Sequence, residues 1–373
     1  MERFDFRGNQ GLVVTHWSGY LQFLLQRGEK FRLVPMAELL NMTPSERTAY
    51  DLARLDFLSD RVTVENETVV NIRTTLETVM HLNHGKPRGG YGVFVSAPSG
   101  RGKTTAVHLV LGEVLAAYRD VNPSSLDNIR SCPVAYICVP DSGTPKSIYM
   151  EIADYLGIAY KPHDSDPILR TVVLAGIAGS GIEVFAIDEV QNLENGGSYS
   201  RRAADAIRRL ADDTTATFLL AGINLEVTNL TRGARGMQIS NRFIRADVAE
   251  YSPESENWMS RWQGLVTEMA NALPLYATRP ETLKPFAGPL HSMTGGSVQA
   301  LNLMLTQVAR ELIEMADPRR ETVTLEHLRA ARVNMATEAH IRAQLGRTKT
   351  KADKSASTRA YRTKKPGPRA DEN

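Results

Sequence analysis

The chain has 373 residues, 42% hydrophobic and 23% charged, with a formal net charge of +2 and two cysteines. That balance supports one large domain plus a smaller one and excludes a collagen-like or wholly disordered chain. Cys132 and Cys138 fit neither a Cys-x-x-Cys metal spacing nor a disulfide framework, so core packing is expected of both; no signal-peptide pattern and no membrane-length apolar run is present, which makes the cytoplasm the expected location and a membrane partner unexpected.

The first sixty residues read as a helical extension. A broad apolar face predicts a helix over 16–26, and Thr43-Pro44-Ser45-Glu46 is a capping box with proline at the first helical position, opening a helix to about 58. This region either docks a partner or covers the core, and its residues leave both readings open. An extended piece from 62 and a helix over 68–82 follow. Lys86-Pro87-Arg88-Gly89-Gly90 then turns the chain into an apolar, β-prone run, Tyr91-Gly92-Val93-Phe94-Val95-Ser96.

Directly after this strand comes Ala97-Pro98-Ser99-Gly100-Arg101-Gly102-Lys103-Thr104-Thr105, and then a helix-compatible stretch to 117. Strand, glycine-rich turn and helix form the context of a phosphate-binding loop. Small residues let backbone N–H groups curl around the β- and γ-phosphates, and the helix start adds partial positive charge. Lys103 supplies a full charge to the same oxygens, and the Thr104 hydroxyl can ligate magnesium. ATP and Mg2+ are therefore the expected ligands. Ala97 stands where the common pattern has glycine.

A second strand, 134–139, leads through 140–147 to a helix over 148–156, and another helix covers 168–178. Val184-Phe185-Ala186-Ile187-Asp188-Glu189 is a buried strand ending in two carboxylates, the pattern of a Walker-B strand. Strand ends of this kind face the ligand edge of α/β sheets. Asp188 is the expected metal ligand and Glu189 the residue that polarises the attacking water. Residues 192–197 read as a flexible loop. The helix over 198–210 carries Arg201, Arg202, Arg208 and Arg209, which either line a pore or form a solvated face. The next strand is 217–222. Alternating strands and helices predict an α/β fold, a mostly parallel sheet with helices on both faces, over 61–251.

Beyond 252 the β signals stop, and helices are expected over 252–273, 281–293, 297–315 and 325–342. The last 32 residues, 342–373, hold ten Lys and Arg against three acids; the preceding 341 hold 34 against 39. The tail is too poor in apolar residues to fold alone and reads as an arm attracted to nucleic-acid phosphates, or as a solubilising tail.

The order of these elements resembles an AAA+ ATPase with a C-terminal helical lid. That resemblance implies a sensor-1 role for Asn224 and an arginine finger at Arg242, with Arg235 and Arg245 as rivals. The finger implies a site completed between subunits. A lid arginine is in doubt, because Gln299 stands near its place after Gly295-Gly296. Within AAA+ proteins the chain is most similar to TniB/TnsC-type ATPases of transposons over about 50–335. The likeness rests on Leu58-Ser59-Asp60-Arg61-Val62, on the loop at 96–105, on Pro145-Lys146-Ser147-Ile148-Tyr149 with Ala153-Asp154-Tyr155-Leu156-Gly157, on Ile187-Asp188-Glu189-Val190-Gln191-Asn192-Leu193 and on Leu219-Leu220-Ala221-Gly222-Ile223. It implies assembly on double-stranded DNA as ATP-bound rings or filaments, with recruitment of a transposase. Lys146, placed on the loop after the second strand, is the candidate DNA contact. The alternatives are a replication-initiator or helicase-loader relative, and a nucleotide-switched scaffold that does not act on DNA.

Overall fold

The structure, a computed structural model, describes residues 14–27, 30–60, 62–123, 131–141, 143–335 and 337–339. The basic tail lies outside the described residues. The chain divides into two compact units, Met1–Glu250 and Tyr251–Asn373.

The first unit is built on a five-stranded parallel sheet: β1 Gly92–Ser96, β2 Val134–Cys138, β3 Val184–Asp188, β4 Thr217–Gly222 and β5 Phe243–Arg245. The strand order is β2-β3-β4-β1-β5. β2, β3 and β4 are buried almost throughout, as continuous apolar runs in a two-sided parallel sheet must be. The crossovers are helical: α5 Lys103–Val121 after β1, α6 Pro145–Tyr155 and α7 Asp166–Ser180 between β2 and β3, α8 Ser200–Asp213 before β4, and α9 Gly233–Ser240 before β5. Because every strand runs the same way, the loops after β1, β3 and β4 gather at one edge.

Four helices precede the sheet: α1 Trp17–Gln26, α2 Met36–Asn41, α3 Pro44–Asp60 and α4 Glu67–Asn83. At the start of α3, Glu46 accepts from both the Thr43 backbone N–H and hydroxyl (each 2.8 Å), as the capping box predicts. Asn66 caps α4 through the Val69 N–H. α1 is part of the main core. Its Tyr20 is fully buried against α5, where the phenol bonds His108 Nδ1 at 2.9 Å.

The second unit is helical: α10 Trp258–Ala272, α11 Pro280–Leu283, α12 Ala287–Thr294, α13 Val298–Glu314 and α14 Leu325–Ala330. Trp262 is buried at its centre and donates to the Ala287 carbonyl at 2.8 Å. Buried Glu321 accepts from the Tyr276 N–H at 2.9 Å.

Several boundaries differ from the sequence reading. Residues 252–257 are turns, and α10 begins only after Asn257 in the left-handed region. The helix expected over 325–342 stops at Ala330. The segment 192–197 lies within a 3-10 stretch, Val190–Tyr199, because Val190 and Leu193 are drawn into the core. α9 and β5 escaped notice because both are short. Cys132 is buried as expected, but Cys138 is exposed: it ends β2, past the covering helices.

Burial and the nearby Arg27 charge push the His108 imidazole down to about 3 from an ordinary 6.5. It is neutral in the native core, while in the unfolded chain it takes up a proton below 6.5. The unfolded state therefore binds more protons in that window, and stability falls as pH falls through it. Urea melts should lose up to about 2 kcal/mol between pH 6.5 and about pH 5, and His108→Gln should flatten that slope.

Candidate nucleotide site

The loop between β1 and α5 takes its shape from two glycines. Gly100 and Gly102 sit at φ +80° and +83°, where a side chain would be strained. Ala97 needs no such freedom, since its φ is not positive. Its N–H instead extends the sheet by donating to the Gly222 carbonyl at 3.2 Å. Alanine in place of the usual glycine is thus accommodated by a position that is still half strand. Pro98 and Ser99 are exposed, and Gly100, Arg101 and Gly102 half-buried. Arg101 pairs with Glu250 at 3.4 Å. Lys103 is buried and folds back, donating to the carbonyls of Ala97 (2.7 Å) and Pro98 (3.0 Å). Burial lowers its ammonium pKa, and Asp188 and Glu189 offset part of that. Thr104 and Thr105 are exposed in the first turn of α5.

β3 brings its carboxylates to the same place. Thr104 Oγ1 donates to Asp188 Oδ2 at 2.7 Å, and Asp188 is 1% exposed. Two hard oxygen donors meeting beside a phosphate-binding loop fit Mg2+, which takes few protein ligands and completes its shell with phosphates and water. Thr104 and Asp188 would hold the ion. Glu189 lies just past the strand, exposed and left-handed at φ +54°. Its N–H donates to Asp188 Oδ1 at 2.7 Å, so the turn that strains Glu189 also orients its neighbour.

Gln191, Asn192 and Tyr136, to which the sequence assigns no site role, bond the acids or the strand ends around them. The Gln191 amide donates to Glu189 Oε2 and accepts from the Ile223 N–H (2.9 Å), bridging the ends of β3 and β4. Gly222 leaves room for it: a Cβ there would lie 2.6 Å from Gln191 Oε1. Asn192 donates to the Val139 carbonyl at 3.0 Å, and Tyr136 donates to Asp188 Oδ2 at 3.1 Å. The signal for Tyr136 is a polar group in an otherwise apolar strand. The signal for Gln191 and Asn192 is their place between Val190 and Leu193, both fully buried.

Other expected residues stand apart. Asn224 is exposed two residues past β4, at the same edge, with φ +52°. Arg242 lies at the opposite edge. Its carbonyl accepts from the Gly92 N–H (3.1 Å) at the start of β1, and its guanidinium pairs with Asp212 at 2.5 Å. The length of a five-residue strand, about 16 Å, separates it from the loop that leaves the other end of β1. Arg245 pairs with Glu226 (3.0 Å) and Asp247 (3.7 Å); Arg235 falls in α9, its side chain outside the described residues. Gln299 is exposed in the first turn of α13.

Lys146 is in the first turn of α6, not on a loop. Thr144 caps that helix, and Lys146 Nζ donates to the Pro162 carbonyl at 2.7 Å. The four arginines of α8 do not form one solvated face. Arg202 pairs with Asp166, and Arg209 lines a cleft of about 240 Å³ with Arg170 and Tyr149. Arg208 is buried, pairs with Asp205 and grips the carbonyls of Asn229 (2.6 Å) and Leu230 (3.1 Å).

A parallel sheet ordered β2-β3-β4-β1-β5, with the phosphate loop after β1 and the acidic pair after β3, defines an AAA+ P-loop NTPase. Solved structures of the same fold include the Aeropyrum pernix ORC1 protein in complex with DNA: TM-score 0.53, 18% identity, 78% of this chain and 69% of that one. A second is the Aeropyrum pernix ORC2 protein in ADPNP–ADP complexes: TM-score 0.52, 13% identity, 68% and 65%. Within this class the chain belongs to the TniB family: the family model described as "Bacterial TniB protein" matches residues 54–253, more than half of the chain. No curated protein matches it. Among the described residues, no helix is long and apolar enough to cross a membrane.

Removing the buried Arg208 side chain takes away its bonds to the Asn229 and Leu230 carbonyls and its ion pair with Asp205. Arg208→Ala should cost about 3–5 kcal/mol in chemical denaturation, whereas Arg201→Ala on the same helix should change stability by less than about 0.5 kcal/mol.

Proposed function

We propose that this protein is an ATPase that assembles on double-stranded DNA in its ATP-bound form and regulates transposition, marking target DNA and recruiting a transposase. The observation that carries the nucleotide part is the contact of Thr104 with Asp188, with Glu189 one residue on. Lys103 would leave its loop carbonyls for the β- and γ-phosphates, exchanging neutral acceptors for charged ones. Mg2+, when bound, neutralises phosphate charge. Glu189 would orient and deprotonate the attacking water, held in place by Gln191, and Asn224 at the same edge would help position that water.

Arg242 supports the oligomer. It lies a strand's length from its own phosphate loop, so it serves a nucleotide only if that nucleotide is bound to a neighbouring copy. An arginine supplied in trans is worth roughly 10³–10⁵ in turnover. A site shared between copies makes ATP an assembly switch.

The DNA and transposase parts rest on membership of the TniB family, with the DNA complex of a protein of the same fold as further support. Lys146, half-buried in the first turn of α6, is the body residue proposed to meet phosphates, and the tail is proposed to add sequence-independent attraction. Electron microscopy with duplex DNA tests the whole reading. Rings or filaments that form on DNA only with ATP are expected, and monomers under every condition overturn it.

Two variants separate the parts. Glu189→Gln should keep ATP affinity while hydrolysis falls about 10²–10⁴-fold, trapping assemblies; native turnover would remove Glu189 as the base. Lys146→Ala should weaken DNA binding and reduce the slope of log affinity against log salt by about 1, measured by fluorescence anisotropy.

A further inference from the structure

Asp188 is held by three donors. Its Oδ1 accepts from the Glu189 N–H, and its Oδ2 accepts from Thr104 Oγ1 and from the Tyr136 hydroxyl. Thr104 is itself expected to turn its oxygen to the cation. Tyr136 is then the one side-chain donor, among the described residues, free to keep orienting Oδ2. It reaches the carboxylate along the sheet, since Tyr136 pairs in register with Ala186 while Cys138 pairs with Asp188. A phenylalanine would fill the same space. The buried hydroxyl needs partners, and it has two: it donates to the Asp188 carboxylate and lies 3.4 Å from Cys138 Sγ.

Tyr136 is in turn packed from outside the sheet. Tyr20 of α1 stacks on its ring at 5.4 Å between centroids and 16° between planes, and His108 of α5 lies 4.4 Å from it. Tyr20 and His108 are tied by their 2.9 Å hydrogen bond, and both are buried. His16, just before α1, bonds the Asp154 carbonyl at 2.8 Å, anchoring the helix to α6 as well. α1 lies outside residues 54–253, the stretch that the family model matches.

We propose that Tyr136 is a positioning residue for the divalent cation at Asp188, and that α1, through Tyr20 and His108, holds Tyr136 in place. The N-terminal helix thereby belongs to the nucleotide site and sets how strongly Mg2+ adds to nucleotide affinity. This rests on the nucleotide-binding reading above. Outer partners of metal-ligating carboxylates typically contribute about 10–100-fold to metal affinity.

The test is calorimetric titration of Mg2+ into full-length protein saturated with a non-hydrolysable ATP analogue. Tyr136→Phe is expected to bind Mg2+ about tenfold more weakly while its Mg2+-free affinity for the analogue stays near wild type. Tyr20→Phe is expected to fall in the same direction by a smaller factor. Equal Mg2+ affinity in wild type and Tyr136→Phe overturns the proposal, and so does an equal loss of Mg2+-free affinity, which would mark a packing role only. Should Tyr136→Phe fail to fold, wild-type protein carrying 3-fluorotyrosine at 136 gives a second readout. Its 19F resonance should shift when Mg2+ joins the nucleotide complex, and an unmoved resonance overturns the proposal. If wild type itself gains nothing from Mg2+, the nucleotide function fails instead.

Discussion

The contact between the Thr104 hydroxyl and the Asp188 carboxylate joins two segments 84 residues apart, and the nucleotide site depends on it. One partner begins α5, directly after the glycine turn; the other ends β3. They meet because β1 and β3 are parallel strands separated only by β4, so their ends stop at the same edge. A buried carboxylate needs donors. Asp188 finds them in a hydroxyl from the phosphate loop, a phenol from β2 and the backbone of its own turn, so loop, sheet and strand end are fixed to one another.

Strain gathers at the same edge. Among the described residues, four non-glycines have positive φ, and two of them, Glu189 and Asn224, follow β3 and β4 here. Each is the residue the chemistry would place beside the attacking water. Gln191 spans the gap between these strand ends, donating to Glu189 and accepting from Ile223. Gln191 thus ties the Glu189 carboxylate to the loop that carries Asn224. From there α9 leads to Arg242 at the opposite edge of the sheet.

Much of this was legible in the chain. Within the run at 187–193, Asp188 is readable as the carboxylate that meets the loop, whereas Leu193, expected in a flexible loop, enters the core with Val190. The capping box at Thr43 is local, because each of its bonds closes within three residues. What escaped was non-local or short. β5 has three residues, too few for a periodic signal, and exists because its backbone pairs with β1. Arg208 looked like one of four similar surface arginines until the carbonyls of Asn229 and Leu230 were placed beside it by the turn after β4. The helix expected from 148 begins at Pro145, because proline at a first helical position opens a helix, and Lys146 is therefore helical.

The sequence by itself determined the phosphate loop, the acidic strand end, the parallel α/β class and the division into a sheet unit and a helical unit. Those follow from residue types at fixed short spacings, which act through local backbone geometry and periodic burial. Only the tertiary structure decided that Tyr136 and Gln191 bond the two acids, that α1 packs behind Tyr136 and Asp188, and that Arg242 lies at the edge of the sheet opposite the phosphate loop. These depend on which strands lie side by side and which edge each loop reaches, and that information exists only once the sheet has formed.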